Sequence, residues 1–522
     1  MTEADAPPTS PLPVLLPPPP LPAPPRDALP LLLTVGLSLL AVALTRNSDF
    51  GLNGLLLYAA LVGSVLAVLR WRGVQLQKSA LGVLGLGLAC GLGVAVRSGP
   101  LMTGLNLLAL AVALALGTAY AALPGLSSVG VGGVLLTGLL SMGRMVYGFP
   151  TLLGRFPWTR LRGRPQQRHY GGRMLVGVLL TIPVLLVFGA LLSSADERFG
   201  QLLSRLFEWN LGDLPSILLQ LGVWLFFLGG LVYAALLARR AAPDLSHLES
   251  ATPRLGLIEL GLPLISLSLL FCVYLGLQAS SFFGSALVVG LTYSEAARQG
   301  FGQLTAVAAL TLALLLLTHT LLRRELRLGW PYRLISAAVL LPLSLVILSA
   351  YLKLSGYISA YGLSEIRVLG ALFLSWVSVS LLAFALLGWR GRLERFAYFS
   401  LISGLSFIAG LNVVNPGRLI ASVNIQRDIE DVRTSQRSSH QEANFFQLLD
   451  LGADAVPLIT ANLNRLTSAG NSVSTASEDY PSKPSRGQAE QALRERFPSS
   501  ADWRSWNWAR WRAGKQVESL GY

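Results

Sequence analysis

Three short clusters carry most of the side chains that could do chemistry. Ser194, Asp196, Glu197 and Arg198 stand in SSADERF, Tyr293, Glu295 and Arg298 in LTYSEAARQGF, and Tyr357, Tyr361, Glu365 and Arg367 in YISAYGLSEIR. Brought to one cavity, Asp196, Glu295 or Glu365 could act as acid or base. Ringed around a polar mouth, the same clusters could hold a headgroup, a sugar or a peptide. A plainer reading stands beside these. Ser194–Glu197 and Thr292–Glu295 match the S/T-x-x-E capping box, which satisfies free amides at a helix start. Tyrosines at a membrane surface are ordinary anchors. No catalytic residue is assigned.

Other chemistries lack their residues. His169, His247, His319 and His440 are scattered, and Cys90 and Cys272 lie in apolar runs, so neither a metal site nor a cofactor is expected. There is no P-loop lysine motif, no H-E-x-x-H, no G-x-S-x-G in a suitable setting and no heme-type C-x-x-C-H. Glu259 is the main carboxylate inside an apolar run and has Arg254 nearby, and His319 reads as interfacial. A transporter's chain of buried acids and histidines is missing.

The elements that must position the clusters are membrane helices. Apolar residues make up 52% of the chain and charged ones 13%, with a mean hydropathy of +0.56, whereas soluble chains carry about 25% charged residues. Eleven apolar segments, near 28–45, 51–69, 80–96, 101–122, 174–193, 217–238, 255–279, 302–322, 333–352, 368–388 and 396–414, approach the roughly 20 residues that cross a bilayer. The fold class is therefore all-α: a polytopic transmembrane bundle with a small extracytoplasmic C-terminal helical region.

The net charge of +14 follows from threading rather than from a nucleic-acid partner. Alternate loops hold nineteen basic residues on one side and seven on the other. The positive-inside bias places the first set and the N-terminus in the cytoplasm, and the three clusters with the C-terminus outside. The glycine-broken run 129–148, which also holds Arg144, fits this threading as an interfacial or re-entrant helix on the cytoplasmic side, with a twelfth span as the alternative. Gly87 and Gly91, with Ala89 and Gly93, give small pairs four apart that allow close helix packing, within the bundle or along a homodimer seam.

The sequence divides into a Pro-rich tail (1–27), four N-terminal spans (28–122), an interfacial helix and basic cytoplasmic loop (123–173), a core of seven spans (174–414), a small helical domain (415–466), a flexible linker (467–487) and a Trp/Arg-rich tail (488–522). Asn415-Pro416 reads as an N-cap and first helical residue, with further helices expected at 440–451 and 454–466. In the tail, Trp503, Trp506, Trp508, Arg510, Trp511 and Arg512 suit a membrane interface with anionic lipid headgroups. Packing against the helical domain is the alternative, and nucleic-acid stacking is the weakest of the three.

The motifs LLSSADERF, LTYSEAARQGFGQL, YGLSEIRVLGALFLSW, LNVVNPGRLIASVNIQR and LDLGADAVPLI, in this order, resemble a large family of bacterial polytopic membrane proteins, domain of unknown function 4173, related to 4153. The resemblance covers roughly residues 28 to 465. It implies a bacterial inner-membrane location and lends no catalytic residue. Together these features suit a non-enzymatic envelope sensor, scaffold or assembly factor, partnered by the bilayer and an envelope protein. A transporter or lipid-handling protein with an outward polar site is the alternative, and a membrane-embedded enzyme the third class.

Overall fold

A computed structural model describes residues 28–74, 76–122, 130–157, 214–236, 255–283, 293–323, 325–433, 444–467, 484–498 and 502–520, with a few single positions between 181 and 199. Among the described residues the fold is all-α, without strands, and nine helices are long and apolar enough to cross a membrane. The expected helix bundle is present, and the chain is a multi-pass membrane protein. The run expected at 174–193 lies almost wholly outside the described residues, and the helix at Leu29–Thr45 is apolar but only 17 residues long.

Six helices make the first packing group: α1 (Leu29–Thr45), α2 (Leu52–Trp71), α3 (Lys78–Val96), α4 (Pro100–Ala122), α5 (Val131–Arg155) and α6 (Leu214–Leu236). Their shared core includes Tyr58, Leu69, Cys90, Tyr120, Phe149 and Leu231. Lipid tails are as apolar as these side chains, so close approach, not exclusion from water, holds the helices together. Small residues supply it. A Cβ on Gly87 would meet the Tyr58 hydroxyl and stand 2.8 Å from Ala113 Cβ, and one on Gly91 would stand 3.1 Å from Leu55 Cδ1. Gly87, Gly91 and Gly93 thus face helices of the same chain.

The residues from Val131 to Arg155 form one helix of 25 residues, longer than the expected surface or re-entrant helix at 129–148. Its C-terminal half enters the core through Phe149, Leu152 and Leu153. The close approach of Gly148 to Gly230, and of Phe149 to Gly229, sets α5 directly against α6. Gln220 of α6 also bonds Thr45 of α1, Nε2 to Oγ1 at 3.0 Å. Residues 214–236 therefore pack with the N-terminal helices instead of the later ones.

The second group holds α7 (Leu257–Phe283), α8 (Tyr293–Leu321), α9 (Trp330–Tyr361) and α10 (Glu365–Trp389), around Leu264, Leu315, Leu343 and Leu374. Pro342 inside α9 has no N–H to give to the carbonyl four residues back, that of Ala338. Ser268 of α7 donates to that carbonyl at 2.6 Å. A membrane helix tolerates a proline when a neighbour satisfies the freed acceptor. After a short 3₁₀ turn (Leu393–Arg395), α11 (Phe396–Val414) joins the groups, with Leu405 in the first core and Phe396 in the second.

The third core is the C-terminal domain: α12 (Pro416–Arg433), α13 (Phe445–Asp450), α14 (Val456–Ala461), α15 (Leu463–Leu466), α16 (Arg486–Arg496) and α17 (Trp508–Ser519). Ile420, Phe445 and Ile459 share it with Ala489, Leu493, Ala513 and Val517, so the tail is part of this domain. Ser485, inside the expected linker, starts α16 with a reciprocal capping box to Gln488. The rest of that linker, 468–483, lies outside the described residues.

Candidate functional site

The bundle has two chemically different ends. The domain sits on the end that carries the α1–α2, α3–α4 and α9–α10 turns: Arg97 of the α3–α4 turn reaches Asp454, and Arg504 and Asn424 of the domain reach the backbone of the other two. At the other end α3 and α11 begin together, Tyr398 Oη lying 3.4 Å from the Ser79 carbonyl, and Leu255 bridges Leu322. Connectivity assigns Arg70, Arg72, Lys78, Arg323, Arg327, Arg390, Arg392 and Arg395 to that far end.

The polar residues brought together at the near end are largely ones sequence reasoning did not single out. Arg97, just past α3, donates from Nε to the Asn412 carbonyl at 2.6 Å and from Nη1 to Asp454 Oδ1 at 3.3 Å. Asp454 also accepts from the Ser98 amide at 2.9 Å and from Asn415 Nδ2 at 3.0 Å. Its side chain is 4% exposed and that of Arg97 18%. Asn106 and Asn412 exchange two hydrogen bonds of 2.8 Å each. The backbone closes in alongside: the Ala453 amide donates to Ser98 Oγ at 2.9 Å. Gly452, at φ +86°, lets the chain pass Gly99 so closely that a Cβ would stand 3.0 Å from Gly99 Cα. This buried charge is compensated on every side, as a buried ion pair must be.

A second seam joins the tail to the α1–α2 turn. Asn53, fully buried, fixes that turn by accepting from Gly51 N and donating to the Leu44 and Asp49 carbonyls. Arg504 then donates to the carbonyls of Ala43 (2.7 Å) and Arg46 (3.2 Å), and Arg510 bonds Asp49 Oδ2 (3.0 Å) and the Phe50 carbonyl. Asn507, 1% exposed, donates to the carbonyls of Val94 and Arg97, both at 2.8 Å. Hydrogen bonds from Arg504 hold the Asp502 carboxyl below its ordinary pKa.

The three clusters of the sequence reading fare differently. Asp196 Oδ1 accepts from the backbone amides of Arg198 (2.8 Å) and Phe199 (3.4 Å), so Asp196 caps that turn. Asp196 and Arg198 are exposed, and Glu197 lies outside the described residues. Tyr293, Glu295 and Arg298 occupy the start of α8 and Tyr361 ends α9, with their side chains outside the described set. Glu365 opens α10 and is half-buried. Arg367 donates to the Gly362 carbonyl at 2.6 Å and lies 4.2 Å over the Tyr357 ring. Asn424 of α12 bonds both the amide and the carbonyl of Leu363. The described part of the third cluster thus shapes the α9–α10 turn and ties it to the domain.

In the tail, Trp503, Trp506, Trp508 and Trp511 are exposed, and Trp508 stacks on Trp511 with ring centroids 5.1 Å apart. Arg512 is exposed, and Lys515 Nζ lies 4.2 Å over the Trp511 ring. Arg510 is committed to Asp49 instead. No group of three metal-ligating side chains occurs among the described residues.

The model of a domain of unknown function, DUF4153, matches residues 79–462, from the start of α3 to the end of α14. The chain belongs to this family. The match is to DUF4153 and not to domain 4173, which the motifs resemble, and it takes in Arg97, Asn106, Asn412, Asn415 and Asp454. Helices α1 and α2 fall outside the match, as do α16 and α17. No curated protein and no solved structure matches the chain.

Proposed function

We propose that this DUF4153 protein is a non-enzymatic scaffold, sensor or assembly factor of the bacterial inner membrane, whose bundle presents the C-terminal helical domain to an envelope partner. The single observation that carries the proposal is the Arg97–Asp454–Asn412–Asn415 seam. A membrane domain that spends its buried polar groups on seating a second domain is built to hold it in place. The capping by Asp196 and the turn-forming bonds of Arg367 support the same reading. The concentration of arginines at the far end supports a cytoplasmic N-terminus and an extracytoplasmic domain. A closer affinity to domain 4173 rests on the quoted motifs. The exposed tryptophans suit the lipid headgroup region beside α1 and α2, with Arg512 and Lys515 as the basic groups available to anionic lipid.

Complementation of a deletion strain tests this. Full-length Phe446→Asp, which alters an exposed apolar residue of the domain, should abolish rescue at normal protein level, whereas Glu295→Gln and Glu365→Gln should rescue. The reverse pattern would overturn the scaffold reading in favour of a working polar cluster.

A further inference from the structure

The end of the second helix group away from the domain concentrates cations beside exposed indoles. Two turns meet there. Gly391, at φ +66°, is so close to Leu328 that a Cβ would stand 2.8 Å from Leu328 Cδ2. Arg323, Arg327 and Arg333 follow α8 in sequence, and Arg390, Arg392 and Arg395 follow α10, so six arginines share this corner with Glu325 and Glu394. Arg327 turns inward to the carbonyls of Leu322 (3.0 Å) and Thr320 (2.8 Å). Arg323, Arg390, Arg392 and Arg395 face outward.

Arg333 is the hinge of the arrangement. Its guanidinium lies 5.8 Å over the Trp389 ring, and its buried Nε has no hydrogen-bond partner among the described residues. Trp389 ends α10 and is 68% exposed, and Trp330 begins α9 and is 74% exposed. The N-cap of α9, Gly329, provides no side-chain cap. Further into the same helices, Leu334, Leu341, Leu382 and Leu386 are exposed. Along α10 the surface therefore runs from the Arg390 guanidinium through the Trp389 indole to Leu386 and Leu382, and Arg333 of α9 joins it over the Trp389 ring. That order mirrors a phospholipid, from phosphate through glycerol to acyl chain.

We infer that this corner is a binding site for an anionic phospholipid, with Arg333 and Arg390 on the phosphate, Trp330 and Trp389 against the glycerol, and the acyl chains along the exposed leucines. Charge complementarity selects an anionic lipid over a zwitterionic one. The leucine face below the cations selects a lipid over free phosphate. The site is separate from the domain seam and does not depend on the proposed scaffold role.

The test uses the full-length protein in detergent, titrated with phosphatidylglycerol, phosphatidylcholine or inorganic phosphate, with retained lipid read by native mass spectrometry and stability by thermal unfolding. Wild type should retain phosphatidylglycerol over phosphatidylcholine by about tenfold, and Arg390→Gln, an exposed change that leaves the fold intact, should reduce that preference about fivefold. Arg333→Gln should do the same, and Arg494→Gln, an exposed change on the domain, should leave it unchanged. Full preference in both Arg390→Gln and Arg333→Gln would overturn the site. So would an equal loss in Arg494→Gln, or equal stabilisation by inorganic phosphate.

Discussion

Arg97 and Asp454, 357 positions apart in the chain, meet at 3.3 Å between a membrane turn and the C-terminal domain. Neither charge stands alone: the Asn412 carbonyl takes the Arg97 Nε, while Ser98 and Asn415 complete the shell of Asp454. This gives the pair an asymmetric response to mutation. Removing one partner strands the other in a poorly hydrated seam, whereas removing both leaves no orphan charge.

Asp454→Leu should destabilise the folded protein by about 3 kcal/mol, and Arg97→Met/Asp454→Leu by clearly less than the sum of the single changes. A double-mutant cycle on thermal unfolding in detergent reads this coupling. Strict additivity would show that the two side chains do not share an environment.

The glycines of α3 should separate by neighbour. Gly87→Ala drives a methyl into the Tyr58 hydroxyl and Ala113, and should cost about 1–3 kcal/mol. Gly93→Ala displaces the Asn412 amide, and with it the paired bonds to Asn106. Gly85 is exposed with nothing within 4 Å, so Gly85→Ala should be neutral or gain about 0.5 kcal/mol. Equal losses at all three positions would contradict the packing described.

The tail clamp should respond to acid in one direction. The Asp502 carboxyl is held below its ordinary pKa by Arg504, so the contact contributes fully above the unfolded value near pH 4 and is lost as pH falls through the lower folded value. Tail protection from protease should therefore be flat between about pH 5 and 8, and should drop only below about pH 4. Asp502→Asn should remove that acid dependence.

Trp508 and Trp511 should report the membrane surface. In vesicles, lipids brominated near the headgroup should quench part of the tryptophan emission, and Trp508→Phe/Trp511→Phe should lower the quenched fraction. An unchanged fraction would place the stacked pair away from lipid.

The bundle itself was legible in the sequence because apolar runs near 20 residues and one-sided arginines are local signals. The seam was not. Asn106 and Asn412, single amides in apolar helices, each signalled the need for a partner, but nothing local pairs residues 306 positions apart. The packing of the tail against the domain was hidden for a different reason. Its buried face in α17 is Ala509, Ala513, Gly514 and Val517, small residues that make no apolar stripe, while the tryptophans that dominate its composition lie outside. Asp196 shows that a cluster rich in ionisable groups can be a cap, with its oxygen spent on two backbone amides.

The most direct test of a domain seated on the bundle is a disulfide across the seam. With Cys90 and Cys272 replaced, Ser98→Cys/Ala453→Cys should oxidise readily in native membranes, because the Ala453 amide already lies 2.9 Å from Ser98 Oγ. Near-complete cross-linking under mild oxidant, with neither single cysteine reacting with a bulky maleimide before unfolding, is the expected result. Free reaction of both cysteines with the maleimide and no cross-link would contradict the seating, and with it the proposed scaffold.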